Sequence, residues 1–241
     1  MEVERCAVCG EPLYKEMIWF GTPKMQRRMC ACRRKEVEEE EARDEALKMF
    51  SRIRNILDEG YLDQVYAKYT FASADSKESK IFKSLKAYAD EFAKAKANNM
   101  GLFLYGTPGV GKTFYASCIA NEVRNQGEYV LIGSAADLIR YFTKDYGRNE
   151  EAERKIRTYP LMVIDDIGVE KTNDGTMSVM NDIIDIRYRS RKPLICTSNF
   201  TLDKLYEGTG AYGERITSRL SESCVQFRIT GKDRRKNGGT T

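Results

Sequence analysis

Between residues 102 and 229 short apolar runs alternate with amphipathic stretches. Leu102–Tyr105, Tyr129–Ile132, Leu161–Ile164, Leu194–Thr197 and Val225–Ile229 read as strands. The intervening segments Thr113–Gln126, Ala135–Tyr146, Glu150–Thr158, Met177–Arg189 and Tyr212–Ser221 read as helices. Strands that alternate with helices predict an α/β fold on a mainly parallel five-stranded sheet. Upstream, residues 33–58 contain neither Gly nor Pro, and Ala46, Met49 or Phe50, Ile53 and Leu57 fall on one helical face before Gly60. A further helix is predicted over about Ser76–Ala97, with Ile81, Leu85, Tyr88 and Phe92 on one side. The first residues differ from all this: Gly10, Pro12, Gly21 and Pro23 punctuate a turn-rich stretch between two cysteine pairs. The expected organisation is a cysteine module over 1–32, a charged helical linker over 33–67 and an α/β domain over 68–241.

Composition narrows this picture. At 241 residues with 41% hydrophobic and 32% charged side chains, the chain can bury one sizeable core and an appendage. No apolar run approaches the ~18 residues that span a bilayer, and the polar start is no secretory signal, so a cytoplasmic protein with no membrane partner is expected. The net charge of +4 is unevenly spread: from Glu214 onward seven basic residues face three acidic ones (Glu214, Glu222, Asp233). Such an end suits phosphates of a nucleotide or nucleic acid, although Lys236 onward reads as a solvated tail. The run Glu38–Glu41 reads first as a solvated helix face and second as a docking helix.

The segment Gly106-Thr107-Pro108-Gly109-Val110-Gly111-Lys112-Thr113 matches the phosphate-loop pattern at every fixed position, and it lies between a strand and a helix as that pattern requires. Glycines let backbone N–H groups turn towards phosphates at a helix N-terminus. Lys112 reaches the β- and γ-phosphates, and the Thr113 hydroxyl suits Mg²⁺. The apolar run Leu161–Ile164 ends in Asp165-Asp166, which places two carboxylates beyond the carboxyl end of a strand, where ligands bind in such sheets. Asp165 is expected to hold Mg²⁺ through water, and Asp166 to orient or activate the attacking water. Asn199, at the end of Leu194–Asn199, can reach the γ-phosphate or that water.

These pieces, followed by Gly213-Glu214-Arg215-Ile216-Thr217-Ser218-Arg219-Leu220 and Gly231-Lys232-Asp233-Arg234-Arg235, resemble the AAA+ ATPases. Within them the sequence is most similar to DnaC/DnaI-type replicative helicase loaders, with the transposition helper IstB nearby. The resemblance covers about residues 68–235 and includes Thr70-Phe71. It implies a three-layer AAA+ sandwich, ATP as the nucleotide, Asn199 as the sensor-1 residue and Arg219 as an arginine finger entering a neighbouring subunit, with Arg215 second. It implies Arg235 as the sensor-2 arginine, with Arg234 as an alternative. Two departures stand out. The second acid is Asp166 where many relatives carry Glu, which implies slow or assembly-dependent hydrolysis. The six residues after Arg235 leave no room for the usual helical lid, as in the loader branch. The resemblance also points to single-stranded DNA contacts between the second and third strands, with Lys144, Tyr146 and Arg148 as candidates; Leu138, Tyr141 and Phe142 read as core.

Seven cysteines and no histidine complete the inventory. Cys118, Cys196 and Cys224 sit in apolar segments and read as core. Cys6, Cys9, Cys30 and Cys32 can supply four thiolates to one structural Zn²⁺, which would stabilise a stretch too short for its own core. Some loaders resemble this arrangement and grip the helicase through such a module. The function expected is an ATP-dependent loader of a ring helicase on single-stranded DNA, self-associating through its arginine-finger face. The alternatives are an IstB-like transposition helper and a nucleotide-switched zinc adaptor with little turnover.

Overall fold

The computed structural model describes residues 4–58, 60–75, 77–143, 149–168, 173–207, 209–231 and 233. It divides into two compact units, Met1–Arg52 and Ile53–Thr241.

In the first unit, β1 (Tyr14–Trp19) and β2 (Thr22–Arg27) form an antiparallel hairpin. Its two-residue turn, Phe20-Gly21, has positive φ at both positions (47° and 77°), as a twist-matched tight hairpin turn requires. The helix α1 (Ala31–Asp58) follows, and its first exposed amide is capped by Glu11, whose Oε2 accepts from Ala31 N at 2.5 Å. Arg28 bonds both Glu11 Oε1 (3.0 Å) and the Pro12 carbonyl (3.1 Å), tying the hairpin to the cysteine-bearing turn. Ile18, Trp19, Phe20, Met25 and Met29 are exposed, and Cys30 is the buried apolar residue among the described ones here.

The second unit is built on five parallel strands in the order β4-β5-β6-β3-β7. These are β3 (Gly101–Tyr105), β4 (Val130–Ser134), β5 (Leu161–Asp165), β6 (Leu194–Ser198) and β7 (Cys224–Arg228). Successive side chains point to opposite faces, and here both faces are covered. Leu102, Leu104, Leu161, Val163 and Ile195 pack with α2 (Lys80–Asp90), α3 (Phe92–Ala97) and α4 (Lys112–Asn125). Phe103, Met162, Ile164 and Cys196 pack on the other face with α5 (Ala135–Phe142), α6 (Glu150–Thr158), α7 (Asp174–Arg189) and α8 (Ala211–Ser223). This double burial explains the uninterrupted apolar runs of the sequence. Residues Tyr61, Leu62 and Tyr66 belong to this unit: Leu62 N donates to the Ile132 carbonyl (2.9 Å), and Asn121 Nδ2 donates to the carbonyls of Tyr66 (2.9 Å) and Tyr69 (2.7 Å).

Two helices depart most from the sequence expectation. The single helix expected over 76–97 is broken at Glu91 into α2 and α3. There Gln126 Nε2 takes the Ala89 carbonyl (2.8 Å), a contact from a distant helix that interrupts the ladder. The helix expected to reach Tyr146 ends at Phe142, because Asn149 N bonds the Phe142 carbonyl (2.9 Å) and Asn149 Nδ2 the Tyr141 carbonyl (3.0 Å). The same asparagine then caps α6 through Oδ1, which accepts from Glu151 N and Ala152 N. Across the parallel strands, a buried Arg187 on α7 joins the approaches to β5 and β6. It donates to the carbonyls of Ile156 (2.9 Å), Tyr159 (2.6 Å), Pro160 (3.0 Å) and Pro193 (2.6 Å).

Candidate nucleotide-binding site

The ends of β3, β6 and β5 lie side by side, so the loop after β3, Asn199 and the two aspartates converge on one edge of the sheet. The loop turns tightly because its glycines permit it. Gly106 has φ +154°, and a Cβ there would meet the Ile229 carbonyl oxygen at 2.2 Å. Gly111 starts α4 in the left-handed region at φ 98°, from which the helix N-terminus faces the loop interior. Lys112, 5% exposed, donates through Nζ to Asn199 Oδ1 (2.8 Å) and to the carbonyls of Gly106 (2.9 Å) and Thr107 (3.0 Å). Two residues 87 positions apart in sequence are thereby in direct contact. A cavity of about 440 Å³ opens beside them, lined in part by Tyr105, Thr107, Asn199 and Thr201.

Asp165 ends β5 in the buried interior of the edge. Its Oδ1 accepts from the Thr113 hydroxyl (3.0 Å) and from the Thr197 hydroxyl (2.6 Å). Burial pushes its carboxyl above the ordinary carboxylate range, and the Thr197 hydrogen bond opposes that. Asp166 is half-buried and left-handed at φ 54°, with its N–H on Thr197 Oγ1 (2.9 Å). A non-glycine residue there is strained unless its surroundings hold it, and Thr197 holds it. Thr197 therefore joins the two acids, a role that its place in a strand did not by itself reveal, although a hydroxyl inside an apolar run was a signal for it. Asp233 also lies against the loop: a Cβ on Gly109 would sit 1.9 Å from its Oδ1.

The other expected residues fall elsewhere. Arg219, on α8, pairs with Asp185 on α7, and Arg215 is exposed one turn earlier. Arg235 and its alternative Arg234 lie outside the described residues, as do Lys144, Tyr146 and Arg148. In the first unit the Sγ atoms of Cys6, Cys9, Cys30 and Cys32 all lie within 4.8 Å of one another. Cys32 Sγ is 3.2 Å from Cys30, 3.5 Å from Cys6 and 3.5 Å from Cys9. Four sulfurs on a tetrahedral Zn²⁺ at Zn–S ≈ 2.3 Å stand about 3.8 Å apart, so the donor set fits that ion. Backbone N–H groups of Cys9 and Val8 bring the Cys6 thiol down to about 6, whereas the crowd of Cys30, Cys6 and Cys9 sulfurs pushes Cys32 up.

With this geometry, a family model described as IstB-like ATP binding protein matches residues 35–238. The chain belongs to that family. Membership in the IstB-like ATP-binding family accounts for the phosphate loop and establishes ATP as the nucleotide class. The replicative helicase loader DnaC of Escherichia coli (strain K12) is 33% identical over 61% of this chain and 64% of its own length. The replicative helicase loader DnaI of Bacillus subtilis (strain 168) is 31% identical over 63% of this chain and 51% of its own length. The aligned part thus spans less than two thirds of either relative. A crystal structure of DnaI superposes with a TM-score of 0.59 at 25% identity, covering 71% of this chain and 93% of that one. No helix among the described residues is long and apolar enough to cross a membrane.

Proposed function

We propose that this IstB-like ATP-binding protein is a helicase loader that hydrolyses ATP and delivers or opens a replicative ring helicase on single-stranded DNA at replication initiation. The observation that carries this reading is its similarity to the loaders DnaC and DnaI across the nucleotide-binding body. The loop 106–113 and Lys112 would bind the phosphates, with Lys112 exchanging the Asn199 amide and loop carbonyls for phosphate oxygens. Thr113 and, through water, Asp165 would hold Mg²⁺, which neutralises phosphate charge when bound. Asp166 orients the attacking water and accepts its proton, Asn199 reports the γ-phosphate, and Arg219 completes a neighbour's site in trans. Arg235 belongs to the same site as a sensor. A carboxylate one methylene shorter than Glu at position 166 makes turnover slow and dependent on assembly. Lys144, Tyr146 and Arg148 touch single-stranded DNA.

Cys6, Cys9, Cys30 and Cys32 would hold a structural Zn²⁺, and the module they close grips the helicase. The test is capture of purified ring helicase by the full chain and by a Cys30→Ser/Cys32→Ser chain. Capture by the first alone is expected; capture by neither removes the loader reading. A second reading, an IstB-like transposition helper, is compatible with the same family but has less support. Tight binding of duplex rather than single-stranded DNA, without helicase capture, would select it.

A further inference from the structure

Arg219 lies in the seam between α7 and α8, and α7 holds it from several sides. Its Nη2 donates to Asp185 Oδ1, and its Nη1 donates to Asn181 Oδ1 (3.3 Å) and to the Arg215 carbonyl (3.4 Å). The guanidinium carbon stands 5.9 Å from the centre of the Tyr188 ring. Asn181 and Asp185 are one helical turn apart, so a single face of α7 presents an amide and a carboxylate to the same group. Asp185 is anchored in turn, because its Oδ2 accepts from Arg189 Nε at 2.8 Å. The side chains of Arg219 and Asp185 are only 22% and 18% exposed, so solvent screens the pair weakly.

We propose that Asp185 is a positioning residue for Arg219: it fixes the guanidinium in one pose before a second subunit arrives. This rests on the reading of Arg219 as a trans-acting arginine. A long arginine side chain loses much conformational freedom when it is immobilised on a ligand. One already ordered on α7 loses less on meeting a neighbour's phosphate, which is how pre-organisation raises affinity and rate. A guanidinium carries five N–H donors, so the contacts with α7 and α8 leave donors over for an anion.

Mixed subunits test this, assayed for phosphate release with ring helicase and single-stranded DNA present. A Lys112→Ala chain lacks a working site but keeps Arg219; an Arg219→Ala chain keeps the site but lacks the arginine. Each alone is inactive, and mixing them restores turnover. With Lys112→Ala/Asp185→Asn as the arginine donor, restored turnover falls about 10- to 100-fold, and Asp185→Glu in its place recovers most of it. ATP-analogue binding by the single Asp185→Asn chain stays at the parent value, and whatever its urea midpoint loses is regained in Asp185→Glu together with the turnover. Equal restoration by both donors overturns the proposal while the trans reading stands. Higher restoration with Asp185→Asn also overturns it, because Asp185 would then hold Arg219 back. A lowered urea midpoint with no recovery by Glu makes Asp185 a packing residue and overturns it too. No restoration by the Lys112→Ala donor removes the trans reading, and the proposal with it.

Discussion

The two units of this chain are held together by different physics. The nucleotide-binding body buries Phe103, Leu104, Ile119, Ile132, Val163 and Ile195 completely, on both faces of one sheet. The first unit leaves Ile18, Trp19, Phe20, Met25 and Met29 in solvent and closes through four sulfurs, a capping glutamate and two arginine contacts. A fold of the first kind is stable through apolar burial. One of the second kind depends on whatever neutralises its thiolates. The body should therefore keep its structure when the module is lost.

Removing metal should produce the largest effect. Structural Zn²⁺ contributes roughly 10–16 kcal/mol to small domains at neutral pH, so with Zn²⁺ held by the four cysteines as proposed, a strong chelator should release it and unfold the module. Trp19, the single tryptophan, sits in its hairpin and reports this directly by fluorescence. The far-ultraviolet signal of the body and its urea midpoint should not move; if they fall together with the Trp19 signal, the two units are not independent.

Lys112→Ala acts on the other side of the comparison. With Lys112 binding phosphate as proposed, loss of its ammonium should lower phosphate release about 100- to 1,000-fold, with the Trp19 signal of the first unit unchanged. Turnover near the parent rate would place the chemistry elsewhere.

Arg187→Ala probes what the body needs besides apolar burial. Burial lowers its pKa to about 9, so it stays charged at neutral pH. Deleting it strands the carbonyls of Ile156, Tyr159, Pro160 and Pro193, and the urea midpoint should show a loss of about 3 kcal/mol or more. A loss within experimental scatter would mean that water replaces the guanidinium. The smallest effect is expected at Asn173, whose Oδ1 accepts from Thr176 N in the capping box of α7. Asn173→Ala should cost about 1 kcal/mol by the same measurement, and no cost would show that the box is dispensable.

The same contrast decides what could be read from sequence. The phosphate loop and the alternation of apolar strands with helices were legible because local spacing and double burial leave strong patterns. The hairpin over 14–27 was not, because a strand with neither face buried shows no apolar stripe: Lys15, Met17 and Trp19 alternate with Glu16 and Ile18 without an inside. The break at Glu91 and the end of α5 were set by Gln126 and Asn149, side chains whose targets only the fold reveals. Asp165 and Lys112 were evident as motif residues. The bridging of both acids by Thr197, and the pairing of Arg219 with Asp185, join residues more than 30 positions apart and leave no local trace.

Helicase loading by this protein can be measured on closed circular single-stranded DNA, where a ring must be opened or built to bind. The protein, ring helicase and ATP should leave helicase on the circle, measured as co-migration after unbound protein is removed. The expected results are loading by the parent chain, no grip on helicase after Cys30→Ser/Cys32→Ser, and helicase bound but not productively transferred after Lys112→Ala. Loading by the Lys112→Ala chain at the parent level, or none by the parent chain although it binds helicase, would contradict the loader reading.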